Sequence, residues 1–196
     1  MTADSDTHLL AALGPRSLVL IGMMGAGKSS IGRKLAQRLN LPFVDADSEI
    51  ERAAGMSISE IFAKHGEPYF RAGEARVITR LLEGGPQVLA TGGGAFMHPQ
   101  SREAIRAKGI SIWLRADYDV LMKRIKRRND RPMLKTDDPG ETLRRLMQER
   151  DPVYAEADVI VHSRDVPHEI IIGEIISAIA PRLAALGAVS TGARVS

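Results

Sequence analysis

The sequence predicts an α/β fold built on a parallel sheet, and two observations support this. Five short runs rich in aliphatic and β-branched residues, each followed by glycine or polar residues, have the length of buried strands. Between them lie longer segments whose apolar residues recur at helical spacing. Alternation of strands and helices is typical of a parallel sheet covered by helices. With 196 residues, 44% of them hydrophobic, the chain has enough apolar material for one domain, with room for a small inserted lobe.

The first half of the chain predicts two of these strands. Residues 17–22 (SLVLIG) form the first, and the segment KSSIGRKLAQRLN after it has the apolar spacing of a helix. Residues 41–47 (LPFVDAD) form the second strand, which ends in acidic residues. Two or three short helices follow, separated by Gly55, Gly66 and Pro68.

The second half predicts the other three strands, PQVLATGGGAF, ISIWLRA and DVIVHS, with helices between them. The helix before the last strand is expected to end at Pro152, because proline disrupts a helix interior. An amphipathic helix closes the chain, and we expect a kink at Pro181. Residues 1–15 and 187–196 are expected to be loose ends.

Composition and charge narrow the class of protein. The chain has no cysteine, which excludes disulfides and zinc–thiolate sites. Its amino-terminal residues lack the positive charge of a signal peptide, and no apolar run approaches the ~20 residues of a membrane span. We therefore expect a cytoplasmic protein without a membrane partner. A net charge of +3 is too small to indicate nucleic acid, and the basic cluster at 123–131 is either a solvated helix face or part of a site.

The most informative motif is GMMGAGKS (22–29), which fits G-x-x-x-x-G-K-[ST]. Glycines let successive backbone N–H groups point into a concave nest, where they and the following helix N-terminus attract phosphate oxygens. Lys28 places a positive charge at the β- and γ-phosphates, and the Ser29 hydroxyl is a hard ligand suited to Mg²⁺. The strand before the motif and the helix after it favour a nucleoside triphosphate site over a simple glycine-rich turn.

The phosphate motif leaves open where the γ-phosphoryl group goes. Water as acceptor would indicate an NTPase, a small alcohol or acid would indicate a metabolite kinase, and a nucleotide would indicate a nucleotide kinase. The chain has no Asn-Lys-x-Asp segment for guanine and is short for a motor or helicase. A small-molecule kinase needs an acceptor pocket, an acid near the accepting hydroxyl and a lid, and the sequence has candidates for all three.

The acceptor side has three candidate groups. Asp45 and Asp47 end the second strand, where open α/β sheets bind ligands, and residues two apart on a strand point the same way. One could hold the metal shell while the other orients a hydroxyl, although Asp47 could instead cap the next helix. Arg71 and Glu74 are helical neighbours, either a surface ion pair or a buried fork for a carboxylate. A run of three glycines, 92–94, permits close approach to a ligand or forms a loose turn.

Taken in order, these motifs resemble the shikimate kinase family. They are GMMGAGKSS, Asp-x-Asp, GEPYFRAGE, Gly-Gly-Gly, Arg-Pro-Met-Leu and RDPVY, and the resemblance covers roughly residues 17–180. It implies a P-loop kinase fold: a three-layer sandwich with a central five-stranded parallel sheet, a shikimate-binding lobe at about 46–75 and a lid at about 126–140. The kinase domain would span 17–186, after an N-terminal extension (1–16) and before a C-terminal tail (187–196).

The resemblance also implies the reaction, which is phosphorylation of the 3-hydroxyl of shikimate by MgATP on the route to chorismate and the aromatic amino acids. We expect a monomer whose partners are shikimate and ATP, with Mg²⁺ as cofactor and no nucleic acid. Two alternatives stay open. One is a related P-loop kinase of another hydroxy acid such as gluconate, and the other is a paralogue that binds nucleotide and regulates.

Site residues follow from the resemblance position by position. For ATP it implies Gly25, Ala26, Gly27, Lys28, Ser29, Ser30, Arg124, Arg131, Arg164 and Pro167. For shikimate it implies Asp47, Arg71, Glu74, Gly92, Gly93, Gly94 and Arg150. Ser29 and Asp45 would hold the metal. The catalytic residues would be Lys28, Asp47 as a base or orienting group, and Arg131 as the lid arginine.

Overall fold

One parallel sheet of five strands forms the centre of the protein. The structure is a computed structural model that describes residues 2–127 and 138–192. Its strands are β1 (Ser17–Ile21), β2 (Phe43–Asp45), β3 (Val88–Ala90), β4 (Gly109–Arg115) and β5 (Val159–His162). They are ordered β2-β3-β1-β4-β5, and all neighbouring pairs are parallel. The predicted five-stranded parallel sheet is confirmed.

Eight helices pack around the sheet within the described residues. They are α1 (Thr2–Leu13), α2 (Lys28–Leu39), α3 (Ala46–Ala54), α4 (Ile58–Glu83), α5 (Pro99–Lys108), α6 (Tyr118–Ile125), α7 (Pro139–Tyr154) and α8 (His168–Gly192). They cover both faces of the sheet, which gives the expected three-layer sandwich. A short 3-10 helix, Ala95–Met97, follows β3 and its glycines. Over residues 2–127 and 138–192, no helix combines the length and the apolar character that crossing a membrane requires.

The central strand β1 connects the core to the site. All five of its residues are buried, because β3 and β4 flank its two edges and helices cover its faces. Each fully buried aliphatic side chain of this kind contributes about 1.5–3 kcal/mol to folding. Since the strands run in one direction, their carboxyl ends meet at one edge of the sheet. The phosphate loop and the three glycines follow strands at that edge, and Asp45 is the last residue of β2 there.

The two chain ends differ from the expectation of loose termini. Helix α1 packs on α8, with Leu9 and Leu13 buried and Asp6 paired with Arg38 at 3.3 Å. Helix α8 continues through Pro181 as far as Gly192. The expectation of a loose end was therefore wrong for α1, because two leucines at helical spacing suffice to dock a short helix on an existing core.

Two element boundaries also differ. Strand β2 ends at Asp45 and α3 begins at Ala46, so Asp47 lies in the first turn of a helix and not on the strand. Helix α7 runs two residues past Pro152, to Tyr154. The expected separation at Gly66 is seen as a break inside α4, where that glycine has φ +79° and ψ 172°.

Candidate active site

A cavity of about 770 Å³ opens at the carboxyl edge of the sheet. Its wall includes most of the site residues expected from the sequence: Gly25, Gly27, Lys28, Ser29, Ser30, Asp45, Asp47, Arg71, Glu74, Gly92, Gly93, Gly94, Arg124, Arg150 and Arg164. Ala26 is buried beneath the wall, and Pro167 is not part of it. Arg131 and most of the expected lid, residues 128–137, lie outside the described residues. One cavity thus joins the expected donor and acceptor residues.

The phosphate loop at one end of this cavity is built from backbone. Gly25 has φ +81° and Gly27 has φ +96°, conformations that a side chain at Cβ disfavours. Helix α2 begins at Lys28, and its first turn has neither a capping side chain nor an acidic residue. The start of α2 therefore carries no negative side chain, and its helix dipole attracts an anion.

Lys28 is fixed by the loop that it follows. Its Nζ donates hydrogen bonds to the carbonyl oxygens of Gly22 at 2.7 Å and Met23 at 2.9 Å. The side chain is 8% exposed, so its ammonium group is largely removed from bulk water. A cation held in this way is preorganised for phosphate oxygens, because little rearrangement is needed when the ligand arrives.

Ser29 and Asp45 form the candidate metal site. The Ser29 hydroxyl donates to Asp45 Oδ2 at 2.7 Å, and Asp45 Oδ1 accepts from the backbone N–H of Asp47 at 3.1 Å. Asp45, not Asp47, is thus the N-cap of α3. In phosphoryl-transfer sites Mg²⁺ takes one or two protein oxygens and completes its shell with phosphate and water. A hydroxyl and a carboxylate beside a phosphate loop fit that requirement.

Arg71 is held by two carboxylates at the other end of the cavity. Its Nη1 donates to Glu74 Oε2 at 2.7 Å, and its Nη2 lies 3.1 Å from Glu67 Oε1. Burial acts to lower the pKa of Arg71, but Glu74 and Glu67 together raise it above its ordinary value. The Arg71 side chain is 18% exposed and the Glu74 side chain is buried. The structure therefore favours the buried fork over the surface ion pair.

Glu74 is the most deeply buried charged side chain of the site, with no exposed surface. Burial raises its pKa, and the attraction of Arg71 only partly opposes that shift. Its second carboxylate oxygen, Oε1, has no hydrogen-bond partner among the described residues. A Cβ on Gly92 would lie 2.7 Å from this oxygen and 2.8 Å from Asp47 Oδ1. A larger residue at position 92 would therefore displace at least one of these two carboxylates.

Arg150 reaches the same end of the cavity from α7. It is 6% exposed, and its Nη1 donates to the carbonyl oxygen of Gly93 at 3.0 Å. The hydroxyl of Tyr154, one turn further along α7, donates to the same carbonyl. Two arginines from different helices, Arg71 and Arg150, thus face one acceptor pocket whose third side is the backbone of residues 92–94.

The two arginines expected near adenine are engaged in contacts within the protein. Arg124 donates to the Ser163 hydroxyl and the Arg164 carbonyl oxygen, both at 3.0 Å, and more weakly to Gly25 O at 3.3 Å. The guanidinium of Arg164 is paired with Glu174, with Nη1 3.0 Å from Oε2. Arg124 therefore connects the phosphate loop to the segment after β5 in addition to lining the cavity.

Sequence reasoning missed several residues of the site. Phe62 and Phe70 line the acceptor end, with their ring centroids 4.7 Å apart. Ser163 is buried and donates to the Ala26 carbonyl at 2.7 Å, which fastens the phosphate loop to the end of β5. Tyr154 is the last residue of the RDPVY segment, and the sequence alone indicates no function for it. No local pattern indicated these residues, because the two phenylalanines meet across the break at Gly66 and the other two side chains bond distant carbonyls.

Comparison with known proteins identifies the family of this chain. The model of the family described as shikimate kinase matches residues 24–180. A shikimate kinase of Bradyrhizobium diazoefficiens is 61% identical over 181 residues, covering 92% of this chain and 87% of the relative. A solved shikimate kinase from Acinetobacter baumannii, in complex with shikimate, superposes with a TM-score of 0.80 at 37% identity, covering 83% of this chain and 91% of that one.

A third similarity concerns the fold alone. A solved gluconokinase from Sinorhizobium meliloti has a TM-score of 0.61 at 21% identity, covering 88% of this chain and 95% of that one. Such a match at low identity shows a shared architecture and carries no substrate. The family model and the highly identical relative, by contrast, extend over most of the chain and include both ends of the cavity. The chain therefore belongs to the shikimate kinase family.

Proposed function

We propose that this protein transfers the γ-phosphoryl group of ATP to the 3-hydroxyl of shikimate, giving shikimate 3-phosphate and ADP on the route to the aromatic amino acids. One observation carries the proposal beyond family membership. A single cavity has a phosphate-binding loop at one end and two largely buried arginines beside a carboxylate, Asp47, at the other. Shikimate has a carboxylate and neighbouring hydroxyls, which match those groups.

The donor end supplies positive potential where the phosphate charge lies. The N–H groups at the start of α2 and the Nζ of Lys28 bind β- and γ-phosphate oxygens, and both are fixed before the ligand binds. Ser29 and Asp45 would hold the Mg²⁺ that accompanies ATP. When bound, Mg²⁺ neutralises phosphate charge and fixes the phosphate geometry. Phosphoryl transfer depends mostly on such positioning and charge stabilisation.

The acceptor end orients shikimate. The guanidinium groups of Arg71 and Arg150 bind its carboxylate, because two planar forks give directional, charge-assisted hydrogen bonds. Asp47, at the start of α3, accepts a hydrogen bond from the reacting hydroxyl and directs its oxygen toward the γ-phosphorus. Arg131, which lies outside the described residues, is assigned from the family resemblance to the transferring phosphoryl group.

We also propose that the enzyme works as a monomer in the cytoplasm, with shikimate and ATP as its partners and without nucleic acid or membrane. The cysteine-free composition is compatible with a reducing compartment.

A coupled assay of ADP formation tests the proposed function. The purified protein is incubated with MgATP and shikimate, with MgATP and gluconate, and with MgATP alone. We expect ADP formation only with shikimate. Turnover with gluconate would identify a different hydroxy-acid kinase, acceptor-independent hydrolysis would identify an ATPase, and nucleotide binding without turnover would indicate a regulatory paralogue.

A further inference from the structure

The two arginines of the acceptor pocket are held by different kinds of partner. Arg71 has two carboxylates within ion-pair distance, Glu74 at 2.7 Å and Glu67 at 3.1 Å. Arg150 forms no ion pair within 4.0 Å with residues in the described ranges 6–127 and 138–186. Its Nη1 donates a hydrogen bond to Gly93 O, a neutral carbonyl, and the Tyr154 hydroxyl interacts with the same guanidinium. Glu74 attracts Arg150 only at longer range, so the direction of its guanidinium depends on the Gly93 carbonyl and the Tyr154 hydroxyl.

The carbonyl of Gly93 lies within the run of three glycines at 92–94. Glycines stand on both sides of it, and each lacks the Cβ that limits rotation in other residues. A hydrogen bond from Arg150 alone would join one flexible group to another. A further restraint is needed if the guanidinium is to be preorganised for a ligand.

Tyr154 supplies that restraint. Its side chain is 1% exposed, its ring lies 5.7 Å from that of Trp113, and its hydroxyl donates to Gly93 O. Burial raises the pKa of Tyr154 to about 12, so the hydroxyl stays a donor throughout the neutral range. A rigid ring anchored in the core and a flexible guanidinium thus converge on one carbonyl oxygen, which can accept both bonds.

We propose that Tyr154 is a positioning residue of the acceptor site, whose hydroxyl fixes the Gly93 carbonyl and thereby aims the guanidinium of Arg150 at the acceptor's carboxylate. The inference rests on the proposed function, since it concerns the same pocket. Tyr154 does not touch the acceptor itself in this account. The other contact of its hydroxyl is to Met23 Sδ at 4.0 Å, on a side chain outside the cavity wall, so we expect its removal to act on the acceptor through Arg150.

Tyr154→Phe tests the proposal, because it removes the hydroxyl and keeps the ring. The loss of one hydrogen bond corresponds to roughly a fivefold rise in the KM for shikimate, with kcat and the KM for ATP unchanged within about twofold. Tyr118→Phe is the matched control, since Tyr118 is not part of the cavity wall. Melting temperatures of both variants establish that the fold is kept. An unchanged KM for shikimate in folded Tyr154→Phe would overturn the positioning role.

A double-mutant cycle separates this role from a purely structural one. Shikimate affinity is measured by calorimetry for the wild type, Tyr154→Phe, Arg150→Ala and the double variant. If Tyr154 acts through Arg150, its substitution has no further effect once Arg150 is alanine. Equal losses in both backgrounds would overturn the proposal.

The proposed function and the inference fail in distinguishable ways. A wild-type protein that neither binds nor phosphorylates shikimate would overturn both. A wild type active on shikimate, combined with an unaffected Tyr154→Phe variant, would overturn the inference alone.

Discussion

The donor and acceptor ends of the cavity are built from different materials. The donor end is mostly backbone, a loop of eight consecutive residues with glycines in left-handed conformations. The acceptor end is mostly side chain, with Asp47 from α3, Arg71 and Glu74 from α4 and Arg150 from α7. A backbone site binds any phosphate chain in the right place, whereas a set of converging side chains distinguishes one acceptor from another. We therefore expect the loop after β1 to bind the donor, and the side chains from α3, α4 and α7 to determine which acceptor binds.

Lys28→Ala should give the largest effect, because it removes the principal side-chain cation of the donor end. Loss of one preorganised group that stabilises developing charge costs roughly 10²–10³ in kcat. Steady-state kinetics with ATP and shikimate measure this loss. Lys34→Ala is the matched control on the same helix, since Lys34 is half exposed and paired with Glu169 on the surface. A near-normal kcat for Lys28→Ala would contradict the assignment of the donor end.

Arg71→Lys should act on the acceptor end alone. An ammonium keeps the charge but cannot make the two parallel hydrogen bonds of a guanidinium, so we expect the KM for shikimate to rise about tenfold. The KM for ATP should stay within about twofold, which separates the two ends of the cavity. Arg52→Lys, on an exposed arginine of α3, is the control. A shared rise in both KM values would mean that the two ends are not independent.

Glu74→Gln should have a smaller effect on activity and a characteristic effect on stability. Because burial raises the pKa of Glu74, the folded state binds its proton more tightly than the unfolded chain. The stability from this group is therefore present at acid pH and is lost as the pH rises through the raised pKa. Glutamine does not titrate, so the stability of the wild type relative to Glu74→Gln should fall as the pH rises.

Urea unfolding of both proteins, from about pH 4 upward past the ordinary pKa of glutamate, measures this difference. A difference in unfolding free energy that stays constant with pH would contradict the assignment of a raised pKa to Glu74. The KM for shikimate should also rise severalfold in Glu74→Gln, because Arg71 loses its strongest charged partner at 2.7 Å.

Leu13→Ala should have the smallest effect on activity, because helix α1 lies outside the cavity wall. Leu13 is fully buried, so its truncation should lower the free energy of unfolding by about 2–5 kcal/mol. Denaturant unfolding and steady-state kinetics test the two parts. A large loss of kcat in a folded variant would contradict this expectation and show that the packing of α1 affects the geometry of the site.

The contrast between the two ends also explains what could be predicted from the sequence. The phosphate loop could be located from the sequence because its eight residues are contiguous and match a known motif. The order of strands and helices could also be predicted, because the spacing of apolar residues that indicates each element lies within a short stretch of sequence. Asp47, Arg71 with Glu74, and the glycines at 92–94 could be proposed as acceptor groups from local patterns. Arg150 could be added only through the resemblance to a family, because it reaches the cavity from a distant helix.

The sequence-based predictions were wrong or incomplete where a residue's role depends on an exact element boundary or on a contact with a distant part of the chain. Asp47 was placed on a strand because its distance from Asp45 fits a strand, but Asp45 caps a helix that begins one residue later. Tyr154 and Ser163 were missed because each bonds a carbonyl more than sixty residues away along the chain. Helix α1 was taken for a loose end because its docking depends on the surface of α8, which no local pattern displays.

The central claim is that one cavity binds the phosphate chain at its backbone end and the acceptor's carboxylate at its arginine end. Steady-state ADP formation with shikimate and with shikimate methyl ester as acceptors tests it most directly. The ester removes the charge that Arg71 and Arg150 recognise and leaves the reacting hydroxyl intact. The account predicts a KM for the ester at least roughly a hundredfold higher than that for shikimate, as expected for buried charged hydrogen bonds left unpaired. Equal KM values for the two acceptors, or ADP formation without any acceptor, would contradict it.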